Sequence, residues 1–196
     1  LQYGDGLFET MAWRSGRARL AELHFERLEL GCRRLGLPAP PRAALLDELR
    51  EAAGAGDATV KLIVTRGSGP RGYRPPADAA ARRIVIAGEA AAPPTGPWRA
   101  RICSTRLGRN PALAGLKHLN RLEQVLARAE WRNPDVEEGL MLDDLGRLVC
   151  GTQSNLFLAE PGRLITPALD ESGVAGVMRR AVIEWARGRG IVVEEA

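Results

Sequence analysis

The chain has 196 residues, of which 45% are hydrophobic and 27% charged, and its formal net charge is +4. This composition is typical of a globular protein with one large or two small domains, and no apolar run approaches the ~18 residues of a membrane span. No signal peptide is visible. The basic residues form no run, which gives nucleic-acid binding little support and suits a small anionic substrate equally well.

The cysteines and histidines argue against a metal or disulfide framework. Cys32, Cys103 and Cys150 are dispersed, with no CxxC spacing, as expected of reduced thiols in a cytosol. Two histidines, His24 and His118, are too few for a typical His-based metal centre. We therefore expect a cytoplasmic protein without a metal site.

The first half of the chain alternates predicted strands and helices. YGDGLFETMAWRSGRARL predicts a β-hairpin, AELHFERLELGCRRLGL a helix that ends near Gly36, and ALLDELREAAGAG a second short helix. ATVKLIVTRGSG and ARRIVIAGEA have strand composition and flank the loop RGSGPRGY. AAAPPTGP, residues 90–97, contains three prolines and no periodicity, so it is the best linker candidate.

The second half is richer in predicted strands. WRARICSTRL predicts a strand, and NRLEQVLARAEW predicts an amphipathic helix with its apolar residues on one face. GLMLDDLGRLVCGTQSNLFLAEPGRLITP predicts a meander, followed by the helix VMRRAVIEWARGRG and the strand IVVEE. We therefore predict an α+β protein with an N-terminal domain at residues 1–92, a linker at 93–97 and a C-terminal domain at 98–196.

One lysine occupies an unusual place in this pattern. Lys117 lies at the seam between an apolar turn and a predicted helix, among Leu113, Ala114, Leu116 and Leu119. Partial desolvation there would free its amine to act as nucleophile or base. The alternative is a lysine that extends its ammonium group into water.

Three other features could bind an anion. Arg27 lies in a predicted helix, where its guanidinium could clamp a phosphate or carboxylate or could simply be solvated. The glycine-rich loop that contains Arg71 could cradle an anion or be a hairpin loop, and it is not a Walker A motif. Val177 and Met178 begin a predicted helix, whose free backbone N–H groups suit an anion, although most helix starts bind nothing.

The motifs resemble those of a known family. YGDGLFET, HFERL, RGSGPRGY, LGRNPALAGLKHLNRLEQ, SNLF and GVAGVMR, in this order, are similar to the fold-type IV pyridoxal-phosphate enzymes. That group includes the branched-chain and D-amino-acid aminotransferases. RGSGPRGY and LGRNPALAGLKHLNRLEQ are closer to the versions found in 4-amino-4-deoxychorismate lyases.

The resemblance spans essentially the whole chain and implies a two-domain fold, with a small α/β sandwich domain followed by a larger β-barrel-like domain. It also implies that residues are missing at both ends, that the cofactor is pyridoxal 5'-phosphate and that the protein is a homodimer with its active site close to the subunit interface.

The resemblance also implies roles for individual residues. Lys117 matches the lysine that binds the cofactor covalently, and Arg27 matches the arginine that binds its phosphate. Val177 and Met178 match residues whose backbone amides hold the same phosphate. Less specific matches place four residues near the substrate: Thr10, Arg71, Arg106 and Arg109.

Cys150 departs from the family pattern. The family usually has E-G-T-x-S-N where this chain has CGTQSN, and the glutamate keeps the pyridine nitrogen of the cofactor protonated. A thiol is a poor anionic partner, so the enzyme would work with a weaker electron sink or would be catalytically impaired. Asp143 and Asp144 lie in a predicted turn and are not expected to replace the glutamate.

The implied activity is conversion of 4-amino-4-deoxychorismate to 4-aminobenzoate and pyruvate, a step toward folate. The alternatives are a D-amino-acid or branched-chain aminotransferase of the same fold, and a non-catalytic binding protein that kept the fold. Loss of the pyridine carboxylate argues mildly against the aminotransferase, because transamination needs the ring to store electrons.

Overall fold

The structure of the chain is a computed structural model that describes residues 2–92 and 95–196. The described residues form two compact units: unit 1 contains residues 2–92 and 117–120, and unit 2 contains residues 95–116 and 121–196. Pro93 and Pro94 of the predicted linker lie outside the described residues. None of the helices in the described ranges has the length and apolar character needed to cross a membrane.

Unit 1 is built on a four-stranded antiparallel sheet with the order β2-β1-β3-β4. Its strands are β1 (Gly6–Arg14), β2 (Arg17–Ala18), β3 (Ala58–Thr65) and β4 (Arg82–Glu89). The predicted opening hairpin is confirmed, since β1 and β2 pair across the turn at residues 15–16. β3 and β4 also pair directly, so RGSGPRGY lies in the loop of a hairpin.

Two helices cover one face of this sheet. They are α1 (Ala21–Leu35) and α2 (Arg42–Ala53), and α1 ends as predicted at Gly36, whose φ of 61° suits a glycine. β1 alternates between two environments, because successive side chains of a strand point to opposite faces. Leu7, Met11 and Trp13 are buried on the helix side, together with the same-phase residue Glu9.

Unit 2 contains two three-stranded sheets. One has the order β5-β6-β7, with β5 (Ala100–Ile102), β6 (Glu138–Leu142) and β7 (Leu148–Gly151). The other has the order β10-β9-β8, with β8 (Leu158–Glu160), β9 (Arg163–Thr166) and β10 (Val192–Glu195). The mixed α+β class is confirmed, and the described strands form these two open sheets rather than a closed barrel.

The predicted meander is wrong in its connectivity. β6 and β7 form one hairpin and β8 and β9 form another, but the two hairpins belong to different sheets. The partner of β9 on its other side is β10, which runs parallel to it after helix α4 (Val177–Arg187). A parallel pair needs such a crossover, whereas a meander does not.

The apolar face predicted for the helix after Lys117 does not lie in the core. α3 (Leu122–Arg128) forms as predicted, but Leu122, Val125 and Leu126 are exposed, at 76%, 60% and 61%. The buried residue of α3 is Ala127, which joins a core cluster of unit 2. The other members of this cluster are Cys103, Leu107, Trp131, Met141, Val149 and Cys150.

Candidate active site

Lys117 is held beside strand β1 by backbone pairing. The N–H of Phe8 donates to the carbonyl oxygen of Lys117 at 3.0 Å, and the N–H of Leu119 donates to that of Gly6 at 3.0 Å. Lys117 therefore belongs to a short extended segment that ends before α3 begins at Leu122. Its side chain is half-buried.

The chain contains two lysines, and both place their ammonium group at one aromatic ring. Nζ of Lys117 lies 4.3 Å and Nζ of Lys61 lies 4.9 Å from the centroid of the Phe8 ring. These distances are within the range of a cation–π interaction. Thr10, a predicted substrate contact, is exposed and lies directly opposite Lys61 in the β1–β3 register.

Arg27 is fixed by a buried carboxylate. Its Nε donates to Oε1 of Glu9 at 2.8 Å, and its Nη2 donates to Oε2 of the same residue. Nδ1 of His24 lies 2.6 Å from Oε2, so Glu9 bonds with two residues of α1. Burial acts to raise the pKa of Glu9, but the hydrogen bonds from His24 and Arg27 outweigh it, and the net pKa is lowered.

Lys117 and Arg27 contact consecutive residues of β1. Lys117 lies over Phe8 and Arg27 binds Glu9, so the two cationic side chains lie on opposite faces of the sheet. Their partners are adjacent, with Cα atoms ~3.8 Å apart. The structure thus attaches these two predicted residues to neighbouring positions of one strand, on its two faces.

Cys150 is a buried member of β7 in unit 2, only 6% exposed. Burial raises the pKa of its thiol to about 12, the nearby guanidinium of Arg121 acts in the opposite direction, and Glu138 adds to the rise. Burial also lowers the pKa of Arg121, although arginine stays protonated at neutral pH. Cys150 is therefore an uncharged thiol.

Glu138 organises the residues that follow Cys150. Its Oε1 accepts hydrogen bonds from the N–H of Gly139 at 2.8 Å, the N–H of Thr152 at 3.0 Å and the hydroxyl of Thr152 at 2.5 Å. Its Oε2 accepts from the hydroxyl of Ser154 at 2.7 Å and the N–H of Gln153 at 3.4 Å. These five donors satisfy a carboxylate that is only 4% exposed and hold the TQS segment against β6.

The start of α4 is shaped by the asparagine of the SNLF motif. Asn155 donates from Nδ2 to the carbonyl oxygen of Val174 at 2.9 Å, and a Cβ at Gly176 would lie 1.9 Å from its Oδ1. No side chain caps the helix that begins at Val177. Val177 is buried and Met178 is exposed.

The other predicted substrate residues differ in their location and in the groups that they already bind. Arg71 is exposed in the β3–β4 loop of unit 1. In unit 2, Arg106 donates to the carbonyl oxygen of Cys103 at 3.2 Å. Arg109 pairs with Asp144 at 2.6 Å and with Glu171 at 3.4 Å, so a substrate carboxylate would have to compete with two anions already present.

The carboxylate of Asp143 forms hydrogen bonds within its own turn, as expected. It accepts from the N–H groups of Leu145 and Arg147 and from the guanidinium of Arg147.

Sequence reasoning missed the residues that surround the predicted ones. Glu9 had a signal, because it falls in the apolar phase of LFETMAW and so predicts a buried carboxylate that needs a partner. Glu138 had none, since EEGLMLD shows no regular alternation. Arg121 could not be associated with Cys150 before the fold was known.

Comparison with known proteins places these features in context. The family described as amino-transferase class IV matches residues 6–196. An aminodeoxychorismate lyase of Vibrio harveyi is 36% identical over 201 residues, which cover 100% of this chain and 74% of that protein.

Solved structures agree with this match. The 4-amino-4-deoxychorismate lyase from Pseudomonas aeruginosa superposes with a TM-score of 0.90 at 51% identity, covering 100% of this chain and 75% of that one. The branched-chain amino acid aminotransferase of Escherichia coli has a TM-score of 0.84 at 25% identity, covering 100% and 69%.

Proposed function

Because the chain belongs to the class IV aminotransferase family, we propose that it is a lyase that converts 4-amino-4-deoxychorismate to 4-aminobenzoate and pyruvate. The support is its identity with two lyases of that name, 36% and 51%, in both cases over the whole chain. The reaction is a step toward folate. The structural observation that carries the proposal is that backbone pairing holds Lys117 beside β1, with its ammonium group over the ring of Phe8.

The residues of the chain fit the aldehyde and the phosphate of pyridoxal phosphate. Lys117 offers an amine for the aldehyde, and Arg27 offers a guanidinium for the phosphate. In unit 2, the uncapped start of α4 at Val177 and Met178 offers backbone N–H groups that suit an anion. We propose these four residues, together with Cys150 at the ring nitrogen, as the cofactor-binding set.

The fit differs at the ring nitrogen. Cys150 supplies an uncharged thiol with a pKa of about 12, raised by burial, where the family usually supplies a carboxylate. We propose that this cofactor would be a weaker electron sink here, which elimination to an aromatic product tolerates.

In the proposed mechanism the chain positions the substrate and moves protons. Pyridoxal phosphate, when bound, supplies an electron sink for the carbanion formed at the substrate carbon. Nζ of Lys117 takes the proton from the carbon that bears the substrate nitrogen, acting as a general base. The C–O bond to the enolpyruvyl group breaks as the ring becomes aromatic, and Lys117 returns a proton to the enolpyruvate to give pyruvate.

The two substrate carboxylates need cationic partners. Arg71, in the exposed loop of unit 1, is a candidate, and Thr10 lies on the Phe8 face of β1. Arg106 and Arg109 remain candidates in unit 2, although Arg109 already binds Asp144 and Glu171. Charge matching makes an anionic substrate suitable for this arginine-rich chain.

An aminotransferase acting on branched-chain or D-amino acids is the second candidate. The aminotransferase of Escherichia coli shares the fold over the whole chain at 25% identity. Transamination must return a proton to the substrate carbon from a ring that has stored the electrons, and the neutral thiol of Cys150 disfavours this.

One experiment separates the candidates. The protein, loaded with pyridoxal phosphate, is mixed with 4-amino-4-deoxychorismate, and 4-aminobenzoate is detected by its fluorescence. A parallel reaction contains branched-chain or D-amino acids with 2-oxoglutarate, and Lys117→Ala serves as the inactive control. Formation of glutamate without 4-aminobenzoate would favour the aminotransferase, and the absence of both products from cofactor-loaded protein would indicate an impaired homologue.

We also propose a homodimer in the cytoplasm, as the family resemblance and the three reduced cysteines suggest. Light scattering coupled to size exclusion tests the first point. A mass equal to one chain at micromolar concentration would contradict it.

A further inference from the structure

Glu9 is an ionisable residue in an apolar position. It lies on β1 between Leu7 and Met11 on the helix-covered face, and it is 1% exposed. A buried carboxylate is costly unless it is paired and hydrogen-bonded. Its presence there therefore requires a compensating role in the fold or in the function.

The side-chain hydrogen bonds that Glu9 forms with His24 and Arg27 go to one face of α1. Arg27 donates to both carboxylate oxygens, and Nδ1 of His24 lies 2.6 Å from Oε2. His24 and Arg27 are three residues apart, so they project from the same side of the helix. The carboxylate thus fixes the guanidinium plane of Arg27 against β1, while the Arg27 side chain keeps 12% exposure.

We propose that Glu9 is a positioning residue that orients the guanidinium of Arg27 for the phosphate of pyridoxal phosphate. The inference rests on the proposed function. A guanidinium has five N–H donors in a rigid fork, and the ion pair with Glu9 engages Nε and Nη2. Fixing those two nitrogens fixes the direction of the whole fork before an anion arrives, which lowers the entropic cost of binding.

Two opposing effects make the proposal testable. Glu9 orients Arg27, but its negative charge also repels a phosphate. If orientation dominates, loss of Glu9 weakens phosphate binding, and if repulsion dominates, loss of Glu9 strengthens it. The lowered pKa of Glu9, which arises because the His24 and Arg27 hydrogen bonds outweigh the effect of burial, agrees with a fixed ionised carboxylate at neutral pH.

The test compares pyridoxal phosphate with pyridoxal, which lacks the phosphate. Apoprotein is titrated with each, and binding is followed by the absorbance of the bound compound and by tryptophan fluorescence. We expect Glu9→Gln to weaken binding of pyridoxal phosphate about tenfold and to change binding of pyridoxal less than about twofold.

Glu9→Asp keeps the charge but shortens the reach, and we expect it to weaken binding of pyridoxal phosphate selectively as well. It also provides a second variant if Glu9→Gln does not fold.

Matched controls isolate the role of Arg27. Glu29→Gln removes another bidentate carboxylate–arginine pair of unit 1, in which Arg42 donates at 2.6 and 2.7 Å, and should leave both affinities unchanged. In an Arg27→Gln background, Glu9→Gln should cause no further loss of selectivity for the phosphate.

Each outcome has a distinct meaning. If Glu9→Gln weakened the binding of pyridoxal phosphate and of pyridoxal equally, Glu9 would only stabilise the fold, and the proposal would be overturned. Unchanged or tighter binding of pyridoxal phosphate by folded Glu9→Gln would overturn it too. Failure of the wild-type protein to bind pyridoxal phosphate would instead refute the proposed function, and the role of Glu9 with it.

Discussion

The ammonium group of Lys117 lies over the ring of Phe8, with Nζ 4.3 Å from the ring centroid. The ring holds the amine on a surface that attracts a cation yet cannot accept its proton. The second lysine of the chain, Lys61, lies 4.9 Å from the same centroid. Proximity to Phe8 therefore does not by itself select the covalent anchor.

Covalent trapping distinguishes the two lysines. Borohydride treatment of protein loaded with pyridoxal phosphate should fix one cofactor on Lys117, because Lys117 is half-buried whereas Lys61 is exposed and solvated. Intact-mass analysis should show the label in wild-type and Lys61→Ala protein and none in Lys117→Ala. A label that persists in Lys117→Ala and maps to Lys61 would refute the assigned anchor.

The thiols should be unreactive in the native protein. All three cysteines are buried, and burial raises the pKa of Cys150 to about 12 and of Cys32 to about 11. Thiolate is the reactive form, so a disulfide reagent at pH 8 should react slowly with native protein and rapidly with three thiols in guanidinium chloride. Rapid reaction of a native thiol assigned to Cys150 by peptide mapping would contradict its burial.

Restoring a carboxylate at position 150 tests whether the weaker electron sink limits turnover. Cys150→Glu should raise kcat for the lyase reaction if ring protonation limits turnover, whereas Cys150→Ser, which stays neutral, should not. The glutamate lies near the buried Glu138, so we also expect a loss of about 1–3 kcal/mol in unfolding free energy, measured with urea. An unchanged kcat in folded Cys150→Glu would disprove the limiting role of ring protonation.

Glu138 should stabilise unit 2 through the hydrogen bonds that it accepts from uncharged N–H and O–H groups. Glu138→Gln replaces an acceptor oxygen by an NH2 group facing N–H and O–H donors, at a cost of about 1–3 kcal/mol in unfolding free energy. Hydrogen exchange at Thr152 and Gln153 should accelerate. The neighbouring Glu137 is exposed and accepts one backbone N–H at 2.8 Å, so Glu137→Gln should have a much smaller effect. Equal effects of the two variants would argue against a special role for Glu138.

Glu9 should contribute to acid sensitivity. Its pKa is lowered from 4.5 because the hydrogen bonds from His24 and Arg27 outweigh burial, so the unfolded chain takes up the proton first as the pH falls. Its stabilising contribution is present above pH ~4.5 and is lost as the pH falls toward its folded-state value.

Urea unfolding between pH 7 and pH 4 measures this contribution. Glu9→Gln should lose less stability than wild type over that interval, and the exposed Glu51→Gln should behave like wild type. A parallel decline of Glu9→Gln and wild type would refute the linkage.

Local patterns predicted much of the secondary structure, because helices and hairpins depend on nearby residues. α1 ends at Gly36, and RSGR turns the chain between β1 and β2, as predicted. Strand pairing was harder to predict, since β6–β7 and β8–β9 look alike in sequence but join different sheets. The exposed face of α3 shows the same limit, because amphipathicity predicts an apolar face and not what covers it.

The family resemblance supplied roles for Lys117, Arg27 and Cys150, which remain predictions. It did not supply the residues around them, because those contacts join distant positions. Arg27 and Glu9 are 18 residues apart, and Glu138 reaches Ser154 across 16. Of these partners, only Glu9 could be recognised in the sequence, because it is a charged residue at an apolar position of the strand LFETMAW.

The alternation of β1 has a consequence for folding fidelity. Phe8 faces the lysine side and Glu9 the arginine side, opposite Ile63 and Leu62 of β3. A slip of one residue in this register would turn every β1 side chain to the other face, placing Glu9 on the lysine side and Phe8 on the arginine side. The register of β1 therefore also decides that Arg27 is paired with a carboxylate and Lys117 with an aromatic ring. A chain with β1 shifted by one residue would keep the sheet but would exchange these two partners.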